Sequence, residues 1–179
     1  MFAKDTSPDT VTGVLKLFFT ELSNPILTFE LYQSFLSALS INYIFKITIF
    51  YNFFFNFFAF YFFIVLQDEI LRLWCVRKVI DTLPPGNRLI VNRVCAMFRI
   101  ITRLEEDNKM SAKNIAIVMS SCMFRDKNES AEQMLRTGGL RVRLLELLIR
   151  MHEEIFLVSF FKIFLSSIFF FFNSFFGKR

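Results

Sequence analysis

The carboxamide of Asn114 is a side chain suited to specific polar contacts, and it lies near the start of an apolar helical pattern. Ser111, three residues earlier, can accept a hydrogen bond from a free N–H group of the first turn. The apolar residues behind it recur on one face of a helix, at Ile115, Val118, Met119 and Cys122. A carboxamide can donate and accept hydrogen bonds at the same time. The pattern alone predicts a capped amphipathic helix with a polar residue at the edge of its apolar face.

Lys16 and Thr20 form a second polar pair, four residues apart on an earlier predicted helix. We expect this helix to begin at Asp9 or Thr10. Its predicted apolar stripe consists of Val11, Val14, Leu15, Phe18 and Leu22. Lys16 and Thr20 lie on the more polar face of the same helix.

The remaining reactive residue types predict no metal or nucleotide site. Three cysteines, Cys75, Cys95 and Cys122, lack paired spacing and are predicted to be reduced core thiols of a cytosolic protein. The single histidine, His152, stands in a charged helix end and is predicted to lie on the surface. The sequence at 137–139, Thr-Gly-Gly, predicts a helix break rather than a phosphate-binding loop. We therefore expect no metal and no cofactor.

The charge pattern argues against nucleic acid as a partner. The net charge of +5 is modest and the basic residues are spread along the chain. Their loose groups are predicted to be solvated helix faces: Arg72, Arg77 and Lys78, then Arg136, Arg141 and Arg143. Aromatic residues do not interleave with a basic groove, as they do in single-strand binders. The first residues lack the apolar run of a signal peptide, which favours a cytoplasmic protein.

Helical periodicity recurs along most of the chain, and no stretch alternates convincingly with period two. Thr28 is predicted to cap a second helix, and Asn87 a helix that follows Pro84-Pro85-Gly86. Ser130 and Gln133 form a capping-box pattern. We expect Gly138-Gly139 to end that helix and a last helix to span 140–154. The sequence thus predicts an all-α bundle.

Phenylalanine is distributed unevenly. Of 27 phenylalanines, 10 lie in residues 41–66 and 10 in residues 155–176. Each span is long enough to cross a hydrocarbon core of about 30 Å. Three interpretations remain open for these segments: membrane-spanning helices, buried or aggregation-prone inserts, and non-coding sequence translated in frame. The last is favoured, because deletion of 41–66 restores a short polar link between two amphipathic helices.

Three stretches, in this order, resemble the RhoGAP family of GTPase-activating domains. They are residues 9–32, the run Leu-Pro-Pro-Gly-Asn-Arg at 83–88, and residues 108–124. The resemblance implies an incomplete helical bundle of the RhoGAP type. Its two parts would be residues 1–40 and 67–156, interrupted by the phenylalanine-rich insert at 41–66 and followed by a tail at 157–179.

The resemblance also implies a set of GTPase-binding residues. Lys16 stands where the family has a lysine that faces acidic or backbone groups of the GTPase. Asn114 matches the family asparagine whose carboxamide helps to fix the catalytic loop, and Lys109 lies in the turn before it. Thr20 stands where the family usually has arginine, so a charge contact is lost.

The arginine finger of the family is absent from this sequence. It would lie upstream of the helix at 11–22, yet no arginine occurs before Arg72. Arg125 is not expected to replace it, since its loop should face away from Lys16. Loss of the family's first helices should also expose apolar surface on the stripes at 11–22 and 90–104.

Three functions follow as alternatives. The first is a signal-transduction regulator that binds a GTP-bound Rho-family small GTPase, with impaired catalysis of its own. Such a protein activates an enzyme rather than being one. The second is a small helical protein anchored in a membrane through 41–66 and 155–176. The third is a scaffold that keeps the bundle but makes no GTPase contact.

Overall fold

The computed structural model describes residues 7–40 and 71–157, and the regular structure of these residues is entirely helical. This confirms the predicted all-α class. In chain order the helices are α1 (Pro8–Glu21), α2 (Tyr32–Leu39), α3 (71–81), α4 (Pro85–Thr102), α5 (Glu105–Asn108), α6 (Ala112–Met123), α7 (Ala131–Arg150) and α8 (His152–Phe156).

The core lies where α7 packs against α6, the most extensive helix contact within the described residues. Helix α7 contributes four fully or almost fully buried apolar side chains, Leu144, Leu145, Leu148 and Ile149. Helices α2 and α4 also pack against α7, and α1 packs against α6. Helices α6 and α7 therefore form the centre to which the other helices attach.

Two local capping signals of the sequence are confirmed. The Ser111 hydroxyl accepts a hydrogen bond from the Asn114 backbone N–H at 3.1 Å, at the start of α6. At the start of α7, the Ser130 hydroxyl accepts from the Gln133 N–H at 3.2 Å, and the Gln133 side chain accepts from the Ser130 N–H at 3.0 Å. Each cap satisfies N–H groups that the helix itself leaves unpaired.

Two other predicted caps are wrong. Thr28 lies in the loop between α1 and α2 with a φ of 60°, and α2 begins only after Leu31 without a side-chain cap. Asn87 lies inside α4, which begins at Pro85, and its side chain donates to the Ile26 carbonyl at 2.9 Å. Thr28 is thus part of the loop itself. Asn87 bonds a carbonyl of that same loop instead of capping its own helix.

The predicted helix break at Gly138-Gly139 is also wrong, because α7 runs without interruption from Ala131 to Arg150. Neither glycine has a positive φ. A glycine inside a helix costs about 1 kcal/mol relative to alanine. The capping box and the buried apolar face of the second half of α7 offset this cost.

Arg141 is buried rather than solvated as predicted. Its guanidinium donates to the Glu129 carboxylate at 3.0 Å, and the two side chains are only 4% and 12% exposed. The Tyr32 hydroxyl donates to the same carboxylate at 3.3 Å and lies 3.0 Å from the Thr137 hydroxyl. Burial is the main cause that raises the pKa of Tyr32. This network ties α2 and the loop at 125–130 to α7.

The three cysteines are free, and Cys95 is fully buried, as predicted for a core thiol. Burial raises the pKa of Cys95 to about 12, so this thiol stays protonated at neutral pH. Cys75 and Cys122 are half-buried.

The prediction for the phenylalanine-rich span 41–66 lies outside the described residues, as does that for the span 155–176 beyond residue 157. Within 7–40 and 71–157, no helix is both long and apolar enough to cross a membrane.

The buried face of α1 overlaps the predicted apolar stripe only in part. Phe19 is fully buried, and Leu15 and Leu22 are partly buried against the core. Val14 and Phe18 are 55% and 48% exposed. The large apolar side chains exposed on α4 and in the turn after it are Leu89, Ile90, Met97, Ile100 and Leu104. The two stripes at 11–22 and 90–104 thus expose apolar surface, as the sequence predicts.

His152 is buried at the start of α8, so its predicted surface position is wrong. Its Nε2 donates to the Asn92 carbonyl at 3.1 Å and to the Asn92 side-chain oxygen at 2.7 Å, which joins α8 to α4. Burial is the main cause that lowers the pKa of His152 below its ordinary 6.5. Nearby Arg99 lowers it further, whereas the Asn92 backbone, Glu153 and Glu154 raise it.

The adjacent phenylalanines of α1 provide a matched test of its buried face. We expect Phe19→Ala to lower the free energy of unfolding by about 3–5 kcal/mol, because it leaves a cavity in the core. Phe18→Ala should cost less than about 1 kcal/mol, since this ring is half-exposed. Chemical denaturation measures both values. Equal losses for the two variants would contradict the assigned face.

The burial of His152 predicts a pH-dependent stability. Its folded pKa lies below the unfolded value of 6.5, so the unfolded state binds more protons at mildly acidic pH. Above pH 6.5 the ring is mostly neutral in both states. The free energy of unfolding should therefore fall as the pH drops below 6.5. The denaturation midpoint, compared between about pH 7.5 and 5.5, measures this. His152→Gln cannot titrate and should flatten the profile, whereas an unchanged slope in this variant would contradict the assignment.

Candidate functional site

The predicted site residues lie on two helices that pack against each other, α1 and α6, and on the turn before α6. The Asn114 carboxamide donates to the Lys109 carbonyl at 2.9 Å. Lys109 has a φ of 57°, a left-handed conformation that reverses the chain between α5 and α6. The Asn114 side chain thus helps to hold this turn in place.

Asn108 completes the same turn. Its side-chain nitrogen donates to the Ile101 carbonyl at 2.8 Å, and its side-chain oxygen accepts from the Met110 N–H at 2.7 Å. The first bond fixes the turn to the end of α4, and the second stabilises the turn itself just before α6. Asn114 itself remains exposed, and its carboxamide oxygen accepts no hydrogen bond from the described residues.

The ammonium group of Lys109 folds back onto its own turn and donates to the Glu106 carbonyl at 2.5 Å. A cation at the last carbonyls of a short helix is favourable, because these groups carry partial negative charge. Lys109 is nevertheless exposed. It lies next to Asn114, so the structure brings these two predicted site residues together.

Lys16 is half-buried in the third turn of α1 and forms no ion pair with the described residues. The Thr20 hydroxyl donates to the Lys16 carbonyl at 2.8 Å, within the same helix. Thr20 therefore satisfies its hydroxyl locally and adds no charge at this place. The neighbouring Val14, Leu17 and Phe18 side chains are apolar and exposed, and Lys16 adds to them an ammonium group that pairs with no carboxylate among the described residues.

Arg125 connects the two helices that carry the predicted site residues. It follows the last residues of α6, and its guanidinium reaches the end of α1. There it donates to the carbonyls of Phe19 at 3.3 Å and Leu22 at 2.6 Å. It also donates to the Cys122 carbonyl at 3.2 Å. Sequence reasoning missed this role, because the partners lie more than 100 residues earlier in the chain.

The predicted site residues offer two ammonium groups, a carboxamide and a hydroxyl, which can form ion pairs and hydrogen bonds. In the part of the chain that the structure describes, no cluster of histidine, cysteine and carboxylate side chains could hold a metal ion.

Comparison with known proteins gives the family. The family model for the RhoGAP domain matches residues 2–128, which is more than half of the chain. The chain belongs to the RhoGAP domain family. Two curated relatives are Rho GTPase-activating protein 27 of Rattus norvegicus, 31% identical over 150 residues, and the Arf-GAP with Rho-GAP domain, ANK repeat and PH domain-containing protein 2 of Mus musculus, 31% identical over 149 residues.

A solved structure supports the same fold. The RhoGAP chain aligns with the crystal structure of the BH domain from Graf, the GTPase regulator associated with focal adhesion kinase, with a TM-score of 0.67 and 16% sequence identity. The alignment covers 88% of this chain and 71% of that one. The matches to the two curated relatives cover 82% and 83% of this chain but only 14% and 7% of those proteins.

Proposed function

We propose that this RhoGAP domain is a signalling regulator that binds a Rho-family small GTPase in its GTP-bound state. Family membership supports the class of partner. The packing of α1 against α6 supports the binding face, because it holds Lys16 and Asn114 on two helices in direct contact. Both helices are anchored at the same guanidinium, that of Arg125.

Each residue of the face has a separate role in this proposal. Lys16 pairs with an acidic or carbonyl group of the GTPase. Asn114 holds the turn at Lys109 through its nitrogen and offers its oxygen to the partner. Lys109 adds positive charge beside Asn114 and increases the rate of encounter with an acidic surface. Thr20 contributes contact area without charge.

We further propose that this chain accelerates GTP hydrolysis little by itself. An arginine finger stabilises the charge that develops on the transferred phosphoryl group and is worth about 10³–10⁵ in rate. The sequence has no arginine before Arg72, whereas the family finger precedes the helix that corresponds to α1. Arg125 is a poor substitute, because its guanidinium is already bound to three backbone carbonyls.

The affinity for a GTPase loaded with a non-hydrolysable GTP analogue tests the proposed binding face on α1 and α6. We expect Lys16→Ala and Asn114→Ala each to weaken binding about three- to tenfold, because each removes a polar contact to the partner. Surface plasmon resonance or calorimetry measures the affinities. A scaffold that makes no GTPase contact predicts no change.

Two control variants distinguish the loss of a contact with the GTPase from the loss of domain stability. Lys127→Ala removes an exposed lysine outside α1 and α6, and it should leave the affinity within about twofold. Ser111→Ala removes the cap beside Asn114 and should lower stability by about 1 kcal/mol with little change in affinity. If Ser111→Ala weakens binding as much as Asn114→Ala does, Asn114 acts through the turn and not through the partner.

Hydrolysis by the same GTPase tests the proposed lack of catalysis. Addition of this chain to the GTP-loaded GTPase should leave the rate of phosphate release within about tenfold of the intrinsic rate. A RhoGAP domain that contains the arginine finger serves as positive control. An acceleration of about 10³ or more by this chain would overturn the proposal.

A further inference from the structure

Helix α1 is attached to the rest of the domain along a narrow strip. Of the α1 side chains that the structure describes, Phe19 alone is fully buried, and Leu15 is partly buried. Most other apolar side chains of the helix, Val11, Val14, Leu17 and Phe18, are exposed. Phe19 and the partly buried Leu15, one turn earlier, give this 14-residue helix a short line of core contacts. A contact at the carboxyl end of α1 therefore adds to what holds its orientation.

Arg125 supplies that contact. Its Nη2 donates to the Leu22 carbonyl at 2.6 Å, and its Nη1 donates to the carbonyls of Phe19 and Cys122. The last carbonyls of a helix have no partner within the helix and carry partial negative charge, so a cation there is stabilising. The guanidinium carbon also lies 5.9 Å from the centre of the Phe29 ring, in the loop that follows α1.

These contacts join the carboxyl ends of α1 and α6 at one group. A helix rises 1.5 Å per residue, so Lys16 lies roughly 4.5 Å before the Phe19 anchor along α1. By the same measure, Asn114 lies roughly 12 Å before the Cys122 anchor along α6. Arg125 therefore contributes to the spacing between these two side chains, together with the direct packing of α1 against α6.

We propose that Arg125 is a positioning residue for GTPase binding, which sets the relative placement of Lys16 and Asn114 without touching the GTPase. The inference rests on the proposed function. Lysine should replace arginine only in part, because an ammonium on a single stem cannot reproduce the planar fork that bonds three carbonyls.

A double-mutant cycle tests this role, with affinity for the analogue-loaded GTPase as the measured quantity. We expect Arg125→Gln to weaken binding about tenfold, and Arg125→Lys to weaken it less. In a Lys16→Ala background, the further loss from Arg125→Gln should shrink to about twofold or less, because a residue that acts through Lys16 has nothing left to position. Arg136→Gln is the matched control, since Arg136 is 75% exposed and, among the described residues, pairs with Glu132 on its own helix.

Amide hydrogen exchange supplies an independent readout. In Arg125→Gln, exchange should accelerate in α1 and stay unchanged in α7. If Arg125→Gln unfolds the whole domain, the cycle is carried out with Arg125→Lys. Equal losses in the two backgrounds, or no loss in either, would overturn the positioning role. If the unaltered chain does not bind, or if Lys16→Ala has no effect, the proposed function itself fails.

Discussion

Burial of apolar side chains between α6 and α7 is the constraint on which the other contacts depend. These two helices supply the centre of the core, and α1, α2 and α4 pack against one or both of them. Leu144 and Leu148 of α7 are fully buried, as is Met123 at the end of α6. Burying such a side chain is worth about 1.5–3 kcal/mol, so a few contacts of this kind dominate the stability of a small domain.

Polar groups inside this frame fix details that apolar burial leaves open. Glu129 accepts from Arg141 and Tyr32, and His152 donates to Asn92. A buried charge or hydroxyl without a partner costs far more than a satisfied one gains, so such groups permit few alternative arrangements. Apolar packing brings the helices together, and the satisfied polar pairs fix how the helices are aligned along one another.

The candidate binding face is built from the least buried parts of the domain. Helix α1 has one fully buried side chain among those described, and the turn at Lys109 is exposed. Both are held by hydrogen bonds to backbone carbonyls, from Arg125 in the first case and from Asn114 in the second. Such an arrangement leaves apolar and polar atoms open to a partner while the backbone beneath them stays in place.

The sequence by itself determined the helical class, the family and the two caps at Ser111 and Ser130. Ser111 and Ser130 bond groups three residues away, so their roles depend only on the local sequence. The resemblance to the RhoGAP family indicated Lys16 and Asn114, and their role as contacts for a GTPase remains a prediction.

The tertiary structure alone decided which face of α1 is buried, where Asn87 and His152 find partners, and what Arg125 holds. Asn87 bonds a carbonyl 61 residues away, and Arg125 bonds one 106 residues away. A side-chain donor is equally able to cap its own helix or to reach a distant carbonyl. Only the packing of the core brings the distant carbonyl within hydrogen-bond range. The periodicity of the sequence shows which residues share a helix face and gives no information about that distance.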